Sequence, residues 1–192
     1  MITIVWDIDD VLNNLTEAWL ATQPSPPSYH SLIRNPPAEL AGLSLDQYLA
    51  SLDVFRATRY AALRPNAAVL EWFRENGHLA HHVALSAVPR AFASVSAAWT
   101  LTHFGDWIRS FTFVPSPRTH DSHPTYDTTK GQFLARCNGV DVLVEDSETN
   151  ALDAQKLGIL ACLYPQPWNP AKDASVQDLL SRLTALVSAP HP

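Results

Sequence analysis

The sequence predicts an α/β fold with a doubly wound, mainly parallel, five-stranded Rossmann-like sheet. Short apolar stretches rich in β-branched residues alternate with segments of helical periodicity along most of the chain, a pattern typical of parallel strands joined by right-handed helical crossovers. Polar residues directly follow several of these stretches, and in open parallel sheets ligands bind outside the carboxyl ends of the strands. The same pattern therefore predicts both the sheet and the edge on which a site would lie.

Composition and charge limit the classes to which the protein can belong. Its 192 residues are 46% hydrophobic and 17% charged, which fits one globular domain with a small insert and excludes wholesale disorder. The formal net charge of -6 argues against a nucleic-acid polymer as partner, because such proteins usually present a basic face. Two cysteines, Cys137 and Cys162, are too few for a disulfide framework or a zinc site.

The sequence shows no segment that indicates export or membrane insertion. Met1 leads directly into the first apolar stretch, which leaves no room for a signal peptide, and no apolar run is long enough to span a bilayer. We therefore expect a soluble, cytoplasmic protein without a membrane partner. The sequence leaves the oligomeric state open.

The stretch from Thr3 to Trp6 has the composition of a strand buried on both faces, and three carboxylates follow it without a turn signal. Asp7 and Asp9 would point the same way in an extended chain, because side chains alternate with period two. Two carboxylates held that close repel each other unless a cation or a shared proton offsets the charge. A solvated acidic turn is the alternative.

The alternation of strands and helices is interrupted after this first strand. Five prolines lie between positions 24 and 37 and break regular structure there. Residues 14–64 are predicted to form a small, mostly helical cap, whereas residues 1–13 and 65–192 form the core domain. Within the cap, helices are expected from the acidic turn to about Trp19, from Ser44 to about Leu52 and from Val54 to about Leu63.

After Pro65 the alternation resumes and gives the remaining elements of the sheet. The predicted strands lie at about 78–85, 111–114, 140–144 and 159–164, and the predicted helices at about 65–77, 92–105, 130–139, 151–157 and 175–187. Ser175 and Asp178 are predicted to form a capping box for the last helix.

Four short motifs lie at the ends of these elements. They are Asp7-Ile8-Asp9 after the first strand, Val83-Ala84-Leu85-Ser86 at the end of the second, Lys130 at a helix start, and Val142-Leu143-Val144-Glu145-Asp146 at the end of the fourth strand. Each motif is weak alone, but four in this order form a specific signal. In this order they resemble the motifs of the haloacid dehalogenase-like superfamily of phosphohydrolases, and the resemblance covers nearly the whole chain except the cap.

The resemblance implies a role for each of these residues. Asp7 would attack a phosphoryl group and form an aspartyl-phosphate, while Asp9 would protonate the leaving group and then activate the water. Mg²⁺ would be held by the Asp7 and Asp146 carboxylates and the backbone carbonyl of Asp9. Ser86 and Lys130 would hold phosphate oxygens. An acid at the position of Asp9 implies phosphoryl chemistry, since the dehalogenase branch lacks it.

Each of these assignments has a structural alternative. Lys130 could be a solvated surface lysine, Ser86 could be a helix N-cap, and Asp146 could cap the helix that follows it. Glu145 departs from the family, where Asp or Gly is usual, and is expected behind the metal ligands, where it would reach a metal-bound water or turn away. The position of Asp10 is often Gly in the family, and the resemblance therefore implies a structural role for this residue.

Arg90 is expected to lie at the edge of the substrate site. Alternatively, its side chain could simply cover the start of a helix. The loop from His120 to His123 could bind a metal, but solvated histidines are favoured there.

The sequence therefore predicts a Mg²⁺-dependent phosphatase that acts on a small phosphorylated metabolite. A faint similarity to the 5′(3′)-deoxyribonucleotidase-like branch makes a nucleotide monophosphate the leading substrate. The alternatives are a non-catalytic binding or regulatory protein with the same fold, and a phosphotransferase or mutase. Six residues of the cap could select the substrate, and the sequence does not favour any one of them. They are Tyr29, Arg34, Tyr48, Arg56, Arg59 and Tyr60. Trp99, Trp107 and Trp168 are interpreted as packing residues.

Overall fold

The computed structural model describes residues 1–118 and 126–189 and has a five-stranded, all-parallel sheet, which confirms the predicted fold class. The strands lie in the order β3-β2-β1-β4-β5. Their bounds are β1 Thr3–Trp6, β2 His81–Val88, β3 Ile108–Pro115, β4 Val142–Glu145 and β5 Leu160–Leu163. The strand order reverses between β1 and β4, and in sheets of this type the crevice at the reversal is the usual place for a ligand.

Seven α-helices are present among the described residues, together with three short 3₁₀ helices. The α-helices are α1 Leu15–Leu20, α2 Leu45–Arg59, α3 Ala67–Asn76, α4 Arg90–Phe104, α5 Lys130–Leu134, α6 Glu148–Lys156 and α7 Val176–Ser188. The 3₁₀ helices are Tyr29–Ser31, Tyr60–Ala62 and Gly77–Leu79. No helix in this part of the chain is both long enough and apolar enough to cross a bilayer.

The core lies on both faces of the sheet because successive side chains of a strand point to opposite faces. In β1, Ile4 and Trp6 join a large apolar cluster with α1 to α4 and α7, whereas Val5 joins a smaller cluster with α5 and α6. Ile4, Val5 and Trp6 are all buried. Because β1 is buried on both faces, the carboxylates that follow it lie at the edge of the sheet.

The prediction of two helices between Ser44 and Leu63 was wrong. A single helix, α2, runs from Leu45 to Arg59 and continues into the 3₁₀ helix Tyr60–Ala62. No glycine or proline lies within this stretch to end the first helix early. Its start is fixed by a capping box, in which Ser44 Oγ accepts from Gln47 N and Gln47 Oε1 accepts from Ser44 N.

The two ends of the segment 14–64 lie next to each other. Asn13 and Pro65 form an isolated antiparallel bridge, and Asn66 N donates to Leu12 O at 2.7 Å. Apolar side chains of the segment, such as Trp19 and Phe55, belong to the same buried cluster as Trp6. The division of the chain into a core and a cap stays a prediction.

Candidate active site

The carboxyl ends of β1, β2 and β4 bring the sequence-predicted residues to one cavity of about 380 Å³. Asp7 follows β1, Ser86 lies near the end of β2, and Asp146 follows β4. Lys130 is the first residue of α5, which packs against the sheet from the opposite side to α2. All of these line the cavity, as do Asp9 and Glu145.

Three buried carboxylates form the acidic part of this cavity. Asp7, Glu145 and Asp146 each offer one oxygen, and these oxygens all lie within 4.8 Å of one another. The Lys130 ammonium lies 2.6 Å from Asp7 Oδ1 and 2.7 Å from Glu145 Oε2. Glu145 therefore lies among the carboxylates and pairs with Lys130, and its place behind the metal ligands stays a prediction.

Burial and mutual repulsion govern the protonation of these groups. Burial raises the pKa of Asp7 well above its usual value, and Glu145 raises it further, while Lys130 opposes the shift. The pKa of Asp146 is raised by burial and by Glu145 in the same way. For Lys130, burial lowers the pKa, but the Asp7 and Glu145 carboxylates outweigh it, so the pKa is raised and the ammonium stays charged.

Two residues outside the predicted motifs hold Asp146 in place. Trp168 Nε1 donates to Asp146 Oδ2 at 3.0 Å, and Asn169 Nδ2 donates to the backbone oxygen of Asp146 at 2.8 Å. Both line the cavity. The interpretation of Trp168 as a packing residue therefore missed its polar contact.

Asp9 is held by side chains from the segment 14–64. Arg56 Nη2 donates to Asp9 Oδ2 at 3.1 Å, and the Tyr60 hydroxyl donates to Asp9 Oδ1 at 2.6 Å. Asn13 Nδ2 donates to the same Oδ1 at 3.3 Å. The Asp9 side chain is thus turned toward α2 and the 3₁₀ helix that follows it, outside the group of three carboxylates.

Asp10 has a structural setting, as expected. Its φ is +64°, a left-handed conformation that few non-glycine residues adopt. Its carboxylate accepts from the backbone N–H and the hydroxyl of Thr16, which ties the acidic turn to α1. Burial raises the pKa of Asp10 to about 7, although the hydrogen bonds from Thr16 oppose this.

Ser86 is buried, at 1% exposure, and its hydroxyl has no hydrogen-bond partner among the described residues. The N-cap of α4 is Pro89, which has no side-chain capping bond, so the alternative that Ser86 caps this helix is wrong. Burying a hydroxyl without a hydrogen-bond partner destabilises the folded protein, because the hydroxyl gives up its hydrogen bonds to water. Its place in the cavity wall therefore suggests that a ligand oxygen completes its bonding.

The structural alternatives for the other two motif residues are also wrong. Lys130 is 2% exposed and is not a solvated lysine. The N-cap of α6 is Ser147, whose Oγ accepts from Asn150 N, so Asp146 does not cap that helix.

The remaining sequence-predicted residues divide into those near the cavity and those away from it. Arg90 is an exposed first residue of α4 and is not among the residues that line the cavity. Arg34, Tyr48 and Arg56 do line it, whereas Arg59 does not. The histidines at 120 and 123 lie outside the described residues.

The chemistry of the donor set fits magnesium. Mg²⁺ prefers carboxylate oxygens as its protein ligands, and Asp7, Glu145 and Asp146 supply three. Three carboxylates and one ammonium, that of Lys130, leave a net charge of about -2 in a buried site when all are ionised. A divalent cation would balance that charge.

Comparison with solved structures shows the same chain path in hydrolases. A haloacid dehalogenase-like family hydrolase from Streptococcus pneumoniae superposes with a TM-score of 0.65 over 97% of this chain and 98% of that chain, at 12% identity. The chain has the haloacid dehalogenase-like fold. A predicted phosphatase from Clostridium acetobutylicum shares this fold with a TM-score of 0.62 at 13% identity, covering 96% of this chain and 98% of that chain.

A third haloacid dehalogenase-like structure carries a ligand. The family hydrolase from Deinococcus radiodurans, with bound phosphate and sodium, has a TM-score of 0.54 at 15% identity and covers 97% of this chain and 94% of that chain. No protein-family model matches the sequence, and no curated protein matches it either. The similarity to the 5′(3′)-deoxyribonucleotidase branch stays a prediction.

Proposed function

We propose that the protein is a Mg²⁺-dependent phosphatase that hydrolyses a small phosphomonoester through an aspartyl-phosphate on Asp7. The observation that carries the proposal is the meeting of a buried, unpartnered Ser86 hydroxyl, the Lys130 ammonium and three carboxylates in one cavity. Donors for phosphate oxygens thus lie beside a nucleophile and a set of cation ligands. The haloacid dehalogenase-like fold, seen in several hydrolases, supports the proposal.

Asp7 is the nucleophile in this proposal. Ile8 N donates to Asp7 Oδ1 at 2.8 Å, and Lys130 Nζ contacts the same oxygen, which leaves Oδ2 as the oxygen for attack. The backbone and Lys130 therefore fix the orientation of the carboxylate before substrate binds, and such pre-orientation lowers the barrier of a displacement reaction. Attack of Oδ2 on phosphorus forms the acyl phosphate and breaks the ester P–O bond.

Asp9 transfers the proton. In its carboxylic acid form it gives a proton to the leaving alkoxide, and as carboxylate it takes one from the water that cleaves the acyl phosphate. Arg56 and Tyr60 donate to the two Asp9 oxygens, an arrangement that suits the carboxylate of the second step. Substrate must weaken the contact with Arg56 for the first step.

Ser86 and Lys130 bind the oxygens of the phosphoryl group. The Ser86 hydroxyl gains the partner that it lacks, and Lys130 shares its charge between Asp7, Glu145 and the phosphoryl oxygens. Mg²⁺, held by Asp7 and Asp146 with Glu145 beside them, would neutralise negative charge on the phosphoryl group. Glu145 also accepts from Ser147 N and Asn150 Nδ2 at 3.2 Å, which fixes its orientation.

Phosphate release from acetyl phosphate and a panel of phosphomonoesters, with and without Mg²⁺, tests the proposal. We expect release only with Mg²⁺, and we expect Asp7→Asn to lower kcat/KM by about 10³-fold or more, because a covalent nucleophile is lost. The exposed Asp106, changed to Asn, is the matched control and should leave the rate unchanged.

Three outcomes would contradict the proposal. An active Asp7→Asn variant would exclude the covalent route. Phosphate transfer to an added alcohol or sugar with little release would identify a phosphotransferase or mutase. The absence of Mg²⁺-dependent release from every compound would favour the binding or regulatory protein.

A further inference from the structure

A second cavity of about 280 Å³ adjoins the candidate active site. We call it the side pocket and define it by Leu49, Ser116 and Arg118, which line only this cavity, and by Tyr48 and Arg56, which line both. The shared residues border both spaces. A substrate whose phosphate lies at Asp7 could therefore extend its alcohol part along Arg56 into the side pocket.

Arg56 has a buried donor group without a hydrogen-bond partner among the described residues. The residue is 6% exposed, and its Nε has no hydrogen-bond partner among the described residues. Its Nη2 donates to Asp9, and its Nη1 lies 3.9 Å from Asp53 Oδ1. Because a buried, unpaired N–H is costly, an oxygen acceptor in the side pocket would stabilise this arrangement.

The charges around the side pocket are already balanced. Arg118 Nε and Nη2 donate to the two Asp53 oxygens at 2.7 and 2.6 Å, and its Nη1 donates to Ser116. The ion pairs form a series of two guanidinium groups and two carboxylates, in the order Asp9, Arg56, Asp53, Arg118. A second anionic group would have to displace one of these carboxylates, whereas a neutral oxygen needs only the free N–H.

From this geometry, and resting on the proposed function, we infer the substrate class. The substrate is a phosphomonoester of an uncharged, hydroxylated alcohol, and one of its neutral oxygens accepts the hydrogen bond of Arg56 Nε–H in the side pocket. A second phosphate or a carboxylate at that end is selected against. Sites that hydrogen-bond a neutral group discriminate strongly, because the mismatched ligand leaves buried polar groups unpaired.

Three six-carbon phosphates that differ at one end or in their hydroxyl groups test this inference. They are sorbitol 6-phosphate, 6-phosphogluconate, in which a carboxylate replaces the terminal hydroxymethyl group, and hexyl phosphate, which has no hydroxyl groups. We expect kcat/KM to be at least tenfold higher for sorbitol 6-phosphate than for either of the other two. Acetyl phosphate, which is too small to reach the side pocket, measures the phosphatase reaction itself.

Two variants link the preference to the side pocket. Leu49→Trp fills the pocket, and Arg56→Lys keeps a positive charge beside Asp9 but removes Nε. Each should lower the ratio of kcat/KM for sorbitol 6-phosphate to that for acetyl phosphate by about tenfold, mainly through KM. Val54→Trp, on the exposed face of α2, is the matched control for Leu49→Trp and should leave that ratio unchanged.

The possible results separate the inference from the proposed function. Turnover of acetyl phosphate together with a preference for 6-phosphogluconate, or with equal rates for hexyl phosphate, would overturn the substrate class alone. An unchanged ratio in both variants would overturn the side pocket as its site. Failure to release phosphate from acetyl phosphate and from every phosphomonoester would overturn the proposed function, and the inference with it.

Discussion

Ser86 and Arg56 share a property that residue types alone do not reveal. Each is buried in the wall of the candidate active site with a donor group that has no partner among the described residues. Folded proteins rarely leave buried donor groups without a hydrogen-bond partner, because this is unfavourable for stability. A bound ligand that accepts the missing hydrogen bond would explain why each donor is present. The two positions therefore mark where the phosphoryl group and the rest of the substrate would bind.

For Ser86, removing the hydroxyl should separate activity from stability. We expect Ser86→Ala to lower kcat/KM for acetyl phosphate by about 10- to 100-fold, because one charge-assisted hydrogen bond to the phosphoryl group is lost. The free energy of unfolding should stay the same or rise slightly, since an unsatisfied buried group is removed. Steady-state kinetics and urea unfolding measure the two effects. A fully active Ser86→Ala enzyme would show that the hydroxyl does not bind substrate.

His82 gives the fold a pH-dependent stability away from the site. Trp6 Nε1, which can only donate, bonds to His82 Nδ1 at 3.0 Å, and His82 Nε2 lies 2.9 Å from Gly77 O. The ring is therefore neutral with its proton on Nε2. Burial lowers the pKa of His82 to about 4, below about 6.5 in the unfolded chain.

Between these two pKa values the unfolded chain binds the extra proton, so stability should fall as the pH decreases from about 6.5 to about 4. The loss from His82 amounts to at most about 3 kcal/mol. His82→Gln, which can still accept and donate, should reduce the pH dependence of the free energy of unfolding measured in urea. His78→Gln, at an exposed position, is the control; an equal reduction there would contradict the assignment to His82.

At the scale of the elements, the motif residues were predictable because each belongs to a local pattern. An apolar strand followed by Asp7, a strand that contains Ser86, and a helix that begins at Lys130 can all be recognised within about ten residues. The helix α2 was missed as one unit because Asp53 and Val54 interrupt its apolar spacing. Tertiary packing of Leu52 and Phe55 into the main cluster outweighs that local signal.

At the junction between α3 and the 3₁₀ helix Gly77–Leu79, a glycine is needed because there is no room for a larger side chain, not because the backbone conformation requires it. Gly77 has an ordinary helical φ of -61°, but a Cβ there would lie 2.6 Å from Trp107 Cδ1. We expect Gly77→Ala to lower the free energy of unfolding by about 1–3 kcal/mol, as overpacking does.

Trp107→Leu provides the matched test, because it shortens the opposing side chain. In a double-mutant cycle, the cost of Gly77→Ala should be smaller in the Trp107→Leu background. Urea unfolding of the four proteins measures the coupling. Additive effects would mean that Trp107 does not restrict position 77.

At the scale of the whole molecule, the site is assembled from contacts that no local pattern contains. Asp9 and Arg56 are 47 positions apart, and Asp146 and Trp168 are 22 apart. Neither pair shares a helix or a strand, so periodicity gives no signal for them. The sheet order brings β1 beside β4 and fixes Asp7 near Asp146, but side chains from outside the motifs decide which way each acid points.

The same assembly concentrates negative charge, and for this reason we expect the stability of the fold to depend on magnesium. Asp7, Glu145 and Asp146 lie together with Lys130 as their one basic contact among the described residues. Burial, and after it the repulsion from Glu145, raises the pKa of Asp7 and Asp146. A cation that binds only the folded state stabilises it by about 2.7 kcal/mol at 100 times its Kd. For a chain of this size, that corresponds to a rise in Tm of roughly 5–10 °C.

Thermal unfolding with and without Mg²⁺ at neutral pH measures this effect. Asp146→Asn should raise Tm in the absence of Mg²⁺, because one repelling charge is removed, and should abolish most of the rise on adding Mg²⁺, because a ligand is lost. Asp106→Asn, which removes an exposed carboxylate on another part of the surface, should leave the Mg²⁺ effect intact. If Mg²⁺ raised Tm equally in both variants, the cation would bind elsewhere, and the three carboxylates would have to be balanced by shared protons and Lys130 alone.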